Sequence, residues 1–195
     1  MAVPSHNQRS SMPLVGAIRD VLGIVKSKKE LKKLLNEKKI TVNGKIVRET
    51  NYPVSFADIL GFPSIKKHYT VTLKNKRYEF VEIPESHAGS RIYKVIGKKL
   101  LGVKKIQLNL SSGRNILTSD KIKIGNFVLV DNAKNKIMKV IEMKKDTEVI
   151  VIAGKHTGKT GKVKDVLKEG ENLVAVIKTK EGEIKANVKN IFATA

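Results

Sequence analysis

Apolar residues recur with helical spacing near the start of the chain. Positions 14, 18, 21 and 22 are apolar and fall on one face of a helix, which Pro13 would begin and Gly23 would end. Ser27 opens a second helix, because Ser27 and Glu30 have the spacing of a capping box and the leucines at 31, 34 and 35 form an apolar stripe. The pattern therefore predicts two consecutive amphipathic helices.

A hairpin signal follows the second helix. Residues 40–42 and 45–47 are alternating segments that flank Asn43-Gly44, a pair typical of a two-residue type I′ turn. Together with the helices, this predicts a helix-helix-hairpin unit over residues 13–58. The polar residues 1–12 before it are predicted to be a flexible N-terminal arm.

Strand-like alternation replaces helical spacing in the rest of the chain. Segments near residues 69–73, 78–80 and 106–110 predict a β-rich central domain over 59–115. Seven further segments between turn residues predict a small antiparallel barrel over 116–195. These candidate strands are 122–124, 127–130, 137–141, 148–152, 162–167, 173–177 and 184–188. The predicted fold class is α+β, mostly β.

Charge then indicates the kind of partner. The 195 residues include 39 Lys plus Arg and 18 Asp plus Glu, a net charge of +21. Residues 1–50, 51–115 and 116–195 carry net charges of +7, +8 and +6, so the excess is spread along the whole chain. Such a distribution favours an extended polyanion, and nucleic acid first. A bias of composition towards lysine, which supplies 33 of the 39 cations, is the alternative.

Several classes of protein are disfavoured by what the sequence lacks. There is no cysteine, which excludes disulfides, thiolate nucleophiles and cysteine-ligated zinc. No run of 18 apolar residues is present, and no segment combines an apolar face with aromatic anchors, so neither a membrane span nor a membrane-surface helix is predicted. The four histidines are far apart and have no ligand spacing, so we expect no metal site and no cofactor.

Residues 153–160 match a loose phosphate-loop pattern that we reject. That chemistry needs a helix beginning at Gly-Lys-Thr, whereas Gly161 and β-branched residues follow Thr160. We therefore predict no nucleotide substrate. A glycine-rich turn with cations and hydroxyls instead predicts contacts to RNA phosphates, the alternative being a tight turn in which the glycines serve only the backbone.

Two motifs resemble known RNA-binding modules. The Val-x-Val-x-x-Gly-Lys-x-x-Gly-Lys-x-Gly-x-Val run within 147–167 resembles a KOW motif, and residues 27–47 resemble the S-four-type RNA-binding domain. Both motifs in this order, around a β-rich middle, resemble the archaeal and eukaryotic small-subunit ribosomal protein S-four-e family. Supporting matches are Leu14 to Leu22, Tyr52-Pro53, Lys121 to Gly125 and the ending Val188 to Phe192.

The resemblance implies a non-catalytic, cytoplasmic protein that binds small-subunit rRNA beside neighbouring ribosomal proteins. It also implies an SH3-like fold for the C-terminal barrel. The predicted RNA-binding residues are Arg9, Arg19, Ser27, Lys28, Lys29, Lys32, Lys33, Lys38, Asn43, Gly44, Lys45, Arg48, Lys98, Lys99, Lys104, Lys105, Arg114, Gly154, Lys155, His156, Thr157, Lys159 and Thr160.

Competing roles exist for some of these residues. Ser27 can act as a helix cap without contacting RNA, and Arg19 can pair with a nearby carboxylate. The helix lysines can form an ordinary solvated face. The lysines around Gly102 can equally be a charged edge strand that blocks aggregation. An enzyme carrying an S-four-type domain needs a separate catalytic domain, for which no residues remain. A KOW transcription regulator is the second candidate function, and such factors carry an α/β domain where this chain has the helix-helix-hairpin unit.

Overall fold

Strands make up most of the structure, a computed structural model that describes residues 11–101, 105–132, 134–169 and 172–194. The chain forms two units. The first comprises Met1–Thr72, Tyr78–Arg91 and Asp131–Asn135, and the second comprises Leu73–Arg77, Ile92–Val130 and Lys136–Ala195. The predicted mostly-β class is confirmed.

The first predicted helix differs from its prediction in type and in start. Pro13 lies in strand β1 (Met12–Pro13), which pairs with β4 (Pro53–Val54), and the helix is a π-helix over Gly16–Val21. A π-helix bonds residue i to i+5 and so has a longer turn than the α-helix assumed in the prediction. This explains why Val21, expected on the apolar face, is 45% exposed, whereas Leu14 and Ile18 are fully buried.

The second helix and the hairpin form where the sequence predicts them. Helix α1 (Lys28–Asn36) begins after Ser27, whose Oγ accepts a hydrogen bond from the Glu30 backbone N–H at 3.2 Å. Glu30 Oε2 in turn accepts from the Lys26 backbone N–H at 2.9 Å, which completes the cap. Strands β2 (Thr41–Val42) and β3 (Lys45–Ile46) flank Asn43 and Gly44, whose φ angles of 52° and 78° fit a type I′ turn.

The hairpin belongs to a five-stranded sheet of order β3-β2-β5-β6-β7. Its other strands are β5 (Ile59–Phe62), β6 (Lys67–Lys74) and β7 (Arg77–Ile83). Antiparallel pairing of β2 with β5 carries this sheet across the predicted domain boundary at 58/59, because β5 lies beyond that boundary and completes the open edge of the hairpin. One apolar core, which includes Leu31, Leu35 and Leu60, lies beneath the sheet and helices.

A second sheet extends further along the chain than predicted. After the short helix α2 (Glu85–Ala88), strands β8 (Ser90–Leu100), β9 (Ile106–Leu110), β10 (Asn115–Thr118), β11 (Phe127–Asp131) and β12 (Lys136–Ile141) form a sheet of order β10-β9-β8-β11-β12. The strands that we assigned to the C-terminal barrel at 127–130 and 137–141 therefore lie here. No strand forms at 122–124 in the described chain, where Ile122 is buried in the core and Ile124 lies in a turn.

The third sheet contains the C-terminal strands and has the order β16-β15-β14-β13-β17. Its strands are β13 (Glu148–Val151), β14 (Thr160–Glu169), β15 (Asn172–Thr179), β16 (Gly182–Asn187) and β17 (Ile191–Ala193). Thr160 begins a strand antiparallel to β13, as we predict, and not the helix that a phosphate loop needs. None of the helices in the described residues is both long and apolar enough to cross a membrane.

Gly161 in β14 is expected to tolerate no side chain. A β-carbon there would overlap the carbonyl oxygen of Lys178 and lie 2.8 Å from Ile177 Cγ2, both on the neighbouring strand. We expect Gly161→Ala to lower the free energy of unfolding by about 3 kcal/mol, because a paired backbone has little room to move. Urea unfolding followed by far-UV circular dichroism measures this. Gly89→Ala, with open space around its Cβ, is the control; equal stability of the two variants would contradict the prediction.

Candidate nucleic-acid interface

One face of helix α1 is a row of exposed lysines. Leu31 and Leu35 anchor the opposite face in the core, so the amphipathic spacing directs the lysines outward. Four predicted RNA-binding lysines lie on this helix, namely Lys28, Lys29, Lys32 and Lys33, and a fifth, Lys38, is exposed just after the helix ends. No salt bridge joins any of the five to a carboxylate within the described ranges. The row therefore presents positive charge to solvent, although Lys33 is close enough to Glu37 to add to the effect of Lys39 in lowering the pKa of that carboxyl.

The hairpin turn between β2 and β3, which follows α1 in the chain, combines exposed cations with a structural asparagine. Gly44, Lys45 and Arg48 are exposed. Asn43 is different, because its side-chain N–H donates to Asp58 Oδ1 at 2.8 Å and its Oδ1 accepts from the Ile59 backbone N–H at 3.0 Å. The Asn43 side chain thus fixes the turn from inside, and its amide is already engaged.

Asp58 and Arg91 form a buried ion pair that our sequence analysis did not identify. Arg91 Nη1 lies 2.5 Å from Asp58 Oδ1, and the two side chains are 7% and 0% exposed. Asp58 also accepts from the Ser55 backbone N–H at 2.7 Å, and Arg91 Nη2 donates to the Phe56 carbonyl at 3.1 Å. Burial and this carboxylate together raise the pKa of Tyr78. The pair is structural, since neither group is accessible to RNA.

Arg19 pairs with a neighbouring carboxylate, which is the alternative to RNA binding that the sequence left open. Its Nε donates to Asp20 Oδ1 at 2.6 Å and its Nη2 to Asp20 Oδ2 at 3.0 Å. These bonds lower the pKa of the Asp20 carboxyl and raise the pKa of the Arg19 guanidinium. The pair is exposed, so a phosphate would have to compete with Asp20 for the same donors.

The predicted central residues separate into exposed and packed groups. Lys98 and Lys99 are exposed at the end of β8, and Lys105 is exposed just before β9. Arg114 instead donates to the Tyr93 hydroxyl at 3.2 Å and lies 5.8 Å from the centre of that ring. Arg9 and Lys104, which we also predict to bind RNA, lie outside the described residues.

The turn between β13 and β14 needs glycine at two positions and is held by its own hydrogen bonds. We call residues 153–160 the glycine loop. Gly154 and Gly158 have φ angles of 98° and 87°, a region that favours glycine. The Thr157 hydroxyl donates to the Gly154 carbonyl at 2.7 Å, and the Gly158 N–H donates to the Val151 carbonyl at 2.8 Å. Part of the donor set that we assign to phosphates is therefore used inside the loop.

The two lysines of the glycine loop differ, because one is paired with a carboxylate and the other is exposed. Lys159 Nζ lies 2.5 Å from Glu181 Oε2, and this pairing lowers the pKa of Glu181. Lys155 is exposed, His156 is half-buried, and Thr160 is exposed where β14 begins. A cleft of about 330 Å³ continues from Thr160 along the sheet and contains Lys162, Lys178 and Lys180. Glu148 lines the same cleft and pairs with Lys162 at 3.9 Å, so the charge of the cleft is partly compensated.

Lys94 is a half-buried cation that no pattern in the sequence singles out. From β8 its Nζ donates to the backbone carbonyls of Val188, Lys189 and Ile191, the last two at 3.3 and 3.1 Å. The same ammonium lies 5.6 Å from the centre of the Phe127 ring. Burial lowers the pKa of Lys94 to about 8. Its role is to join β8 to the C-terminal sheet within the second unit.

The low pKa of Lys94 makes stability depend on pH. The folded chain releases this proton near pH 8, whereas the unfolded chain keeps it until about pH 10.5, so the unfolded state binds more protons between these values. We expect the wild type to gain stability relative to Lys94→Met as pH rises from about 8 towards 10. Urea unfolding at several pH values measures the difference. Lys98→Met, exposed on the same strand, is the control, and parallel pH profiles for wild type and Lys94→Met would contradict the prediction.

Across the residues that the structure describes, no group of three or more His, Asp or Glu side chains has the geometry to hold a metal ion. The predicted RNA-binding cations that the structure describes as exposed lie mainly in three places, which are the α1 face with the hairpin turn, the ends of β8 and β9, and the glycine loop.

Comparisons with known proteins identify the family and the domains of this chain. Three family models match, the ribosomal family S4e over residues 65–137, the S4 domain over 20–60 and the KOW motif over 145–177. The small ribosomal subunit protein eS4 of Methanocella arvoryzae is 32% identical over 190 residues, covering 96% of this chain and 81% of that protein. The protein of the same name from Methanospirillum hungatei is 34% identical over 165 residues, covering 82% and 68%.

A solved structure shows the same fold. The crystal structure of the 30S ribosomal protein S4e from Thermoplasma acidophilum matches with a TM-score of 0.79 and 27% identity, covering 95% of each chain. The similarity extends over nearly the whole chain, so the resemblance inferred from the sequence is confirmed. The chain belongs to the family of small ribosomal subunit protein eS4.

Proposed function

We propose that this chain is a non-catalytic constituent of the small ribosomal subunit that binds rRNA mainly through phosphates. The observation that carries the proposal is the row of unpaired lysines on α1, next to the exposed cations of the hairpin turn. Family membership supports the ribosomal location, and with it the cytoplasm. The net charge of +21 supports a polyanionic partner.

The binding mode that we infer is directed by shape and backbone. A-form RNA hides its base edges in a deep, narrow groove, so a protein surface reads its phosphates and its form. The α1 face supplies a straight row of ammonium groups, and the glycine loop supplies cations on a rigid turn between two strands. In this interpretation the helix-helix-hairpin unit and an SH3-like C-terminal barrel hold different parts of the rRNA. With aromatic residues at only 5% of the chain, stacking on bases is secondary.

Neighbouring ribosomal proteins are proposed as further partners. Leu100, Leu117 and Met138 of the second sheet are 72%, 62% and 63% exposed. Large apolar side chains exposed to this degree favour burial against another surface. No cofactor is needed for any of these contacts.

Sedimentation tests the proposal. Native lysate is run on a sucrose gradient at low salt and again after a high-salt wash, with an antibody to this chain. We expect the chain to follow the small subunit in both gradients, because many phosphate contacts act together. Migration with RNA polymerase would favour a KOW transcription regulator instead, and recovery only at the top of the gradient would contradict any ribosomal role.

A further inference from the structure

The turn between β6 and β7 is a basic feature that the predicted site does not include. We call residues 74–77, Lys-Asn-Lys-Arg, the hairpin tip. Asn75 and Lys76 have φ angles of 49° and 64°, which gives the type I′ geometry of a tight hairpin. Lys76 and Arg77 are both exposed. The tip thus projects two adjacent cations from a rigid turn.

The hairpin tip touches the glycine loop backbone to backbone. A β-carbon on Gly158 would lie 3.0 Å from the Asn75 backbone nitrogen and 3.3 Å from both Cα and the carbonyl carbon of Lys74. Both segments belong to the second unit. Since no side chain separates the two turns, residues on either side of Gly158 and Asn75 lie next to each other although they are about 80 positions apart in sequence.

The cations of the two turns differ in whether a carboxylate pairs with them. On the loop, Lys159 is held by Glu181. On the tip, neither Lys76 nor Arg77 has a salt bridge to any carboxylate in the described part of the chain. Lys155 is likewise exposed and unpaired among those residues. The tip therefore adds two uncompensated cations beside a loop whose own charge is partly neutralised.

We propose that the hairpin tip and the glycine loop form one composite site that binds the phosphates of a single stretch of RNA. Lys76 and Arg77 contribute from the tip, and Lys155 and His156 contribute from the loop. Phosphates recur at every nucleotide along a strand, so cations on two touching turns can reach phosphates of the same stretch. The inference rests on the proposed function, because it specifies where that function takes place.

Neutralising the tip tests its contribution. Lys76→Asn with Arg77→Gln removes both charges and keeps a residue that tolerates positive φ at 76. We expect the double variant to bind purified small-subunit rRNA more weakly at every salt concentration. The slope of log K against log salt should fall by about two, close to one for each phosphate that the variant no longer neutralises. Lys144→Gln is the control, because Lys144 already pairs with Glu142. An unchanged slope in the tip variant would overturn the proposal.

Site-directed cleavage tests whether tip and loop share one stretch of RNA. The chain has no cysteine, so Arg77→Cys, Lys155→Cys and Lys45→Cys each carry a single tethered hydroxyl-radical source. We expect the sources at 77 and 155 to cleave overlapping nucleotides. Separate cleavage sites for positions 77 and 155, or cleavage from only one of them, would overturn the composite site. The proposed function would stand in that case if the source at position 45 still cleaves the RNA. Absence of cleavage from all three would overturn both.

Discussion

The affinity of this chain for small-subunit rRNA is expected to fall by about 10³-fold or more when monovalent salt rises from about 50 to about 200 mM. Each neutralised phosphate releases condensed counterions, and six or more such contacts produce a fall of this size. Helix α1 alone offers four lysines without a salt bridge in the described chain, and Lys38 just after it adds a fifth. Filter binding or fluorescence anisotropy with labelled rRNA over a salt series measures the slope.

Matched variants assign this slope to named residues. Lys28→Gln, Lys29→Gln and Lys32→Gln together should lower it by about three, whereas Lys39→Gln should leave it unchanged because Lys39 already pairs with Glu37 at 2.7 Å. A slope near zero for the wild type would mean that phosphates do not dominate binding. Equal effects of the triple variant and Lys39→Gln would mean that the α1 row is only a solvated surface.

Removing Asp58 is expected to cost about 3–5 kcal/mol of the free energy of unfolding. Asp58→Ala leaves the Arg91 guanidinium, 7% exposed, without its carboxylate in the interior. The same change also removes the acceptor of the Ser55 N–H and of the Asn43 amide. Urea unfolding, followed by circular dichroism because the chain lacks tryptophan, measures the decrease.

Two further variants separate the buried charge from general damage. Asp58→Leu with Arg91→Met removes both charges, and we expect it to recover much of the stability that Asp58→Ala removes, since an apolar pair of similar size needs no desolvation of ions. Glu82→Gln, which breaks the exposed pair with Lys67, should be neutral within error. A double variant as unstable as Asp58→Ala alone would show that the lost acceptor of the Ser55 and Asn43 donors, and not the ion pair, is the cause.

Local signals in the sequence were sufficient where a few neighbouring residues determine the structure. The cap at Ser27 and the turn at Asn43-Gly44 depend only on residues within four positions, and both form as predicted. The π-helix at Gly16–Val21 could not be predicted from the sequence, because apolar spacing does not distinguish a longer helical turn from an α-helix.

Long-range partners explain the remaining differences. Strand Phe127–Asp131 begins with four consecutive apolar residues, and nothing in its own residues shows that it joins β8 rather than the C-terminal sheet. Arg91 and Lys94 look like surface cations in the sequence, although the fold buries the first against Asp58 and half-buries the second against three carbonyls. For the same reason the proximity of the hairpin tip to Gly158 could not be predicted.

Lysine footprinting of native small subunits tests the central proposal most directly. Subunits are acetylated before and after ribonuclease digestion, and the modified lysines of this chain are quantified by mass spectrometry. We predict that Lys28, Lys29, Lys32 and Lys155 react only after digestion, while Lys39 and Lys144, which pair with carboxylates, change little. If those four lysines react equally before and after RNA removal, they do not contact rRNA, and binding through these phosphate contacts is contradicted.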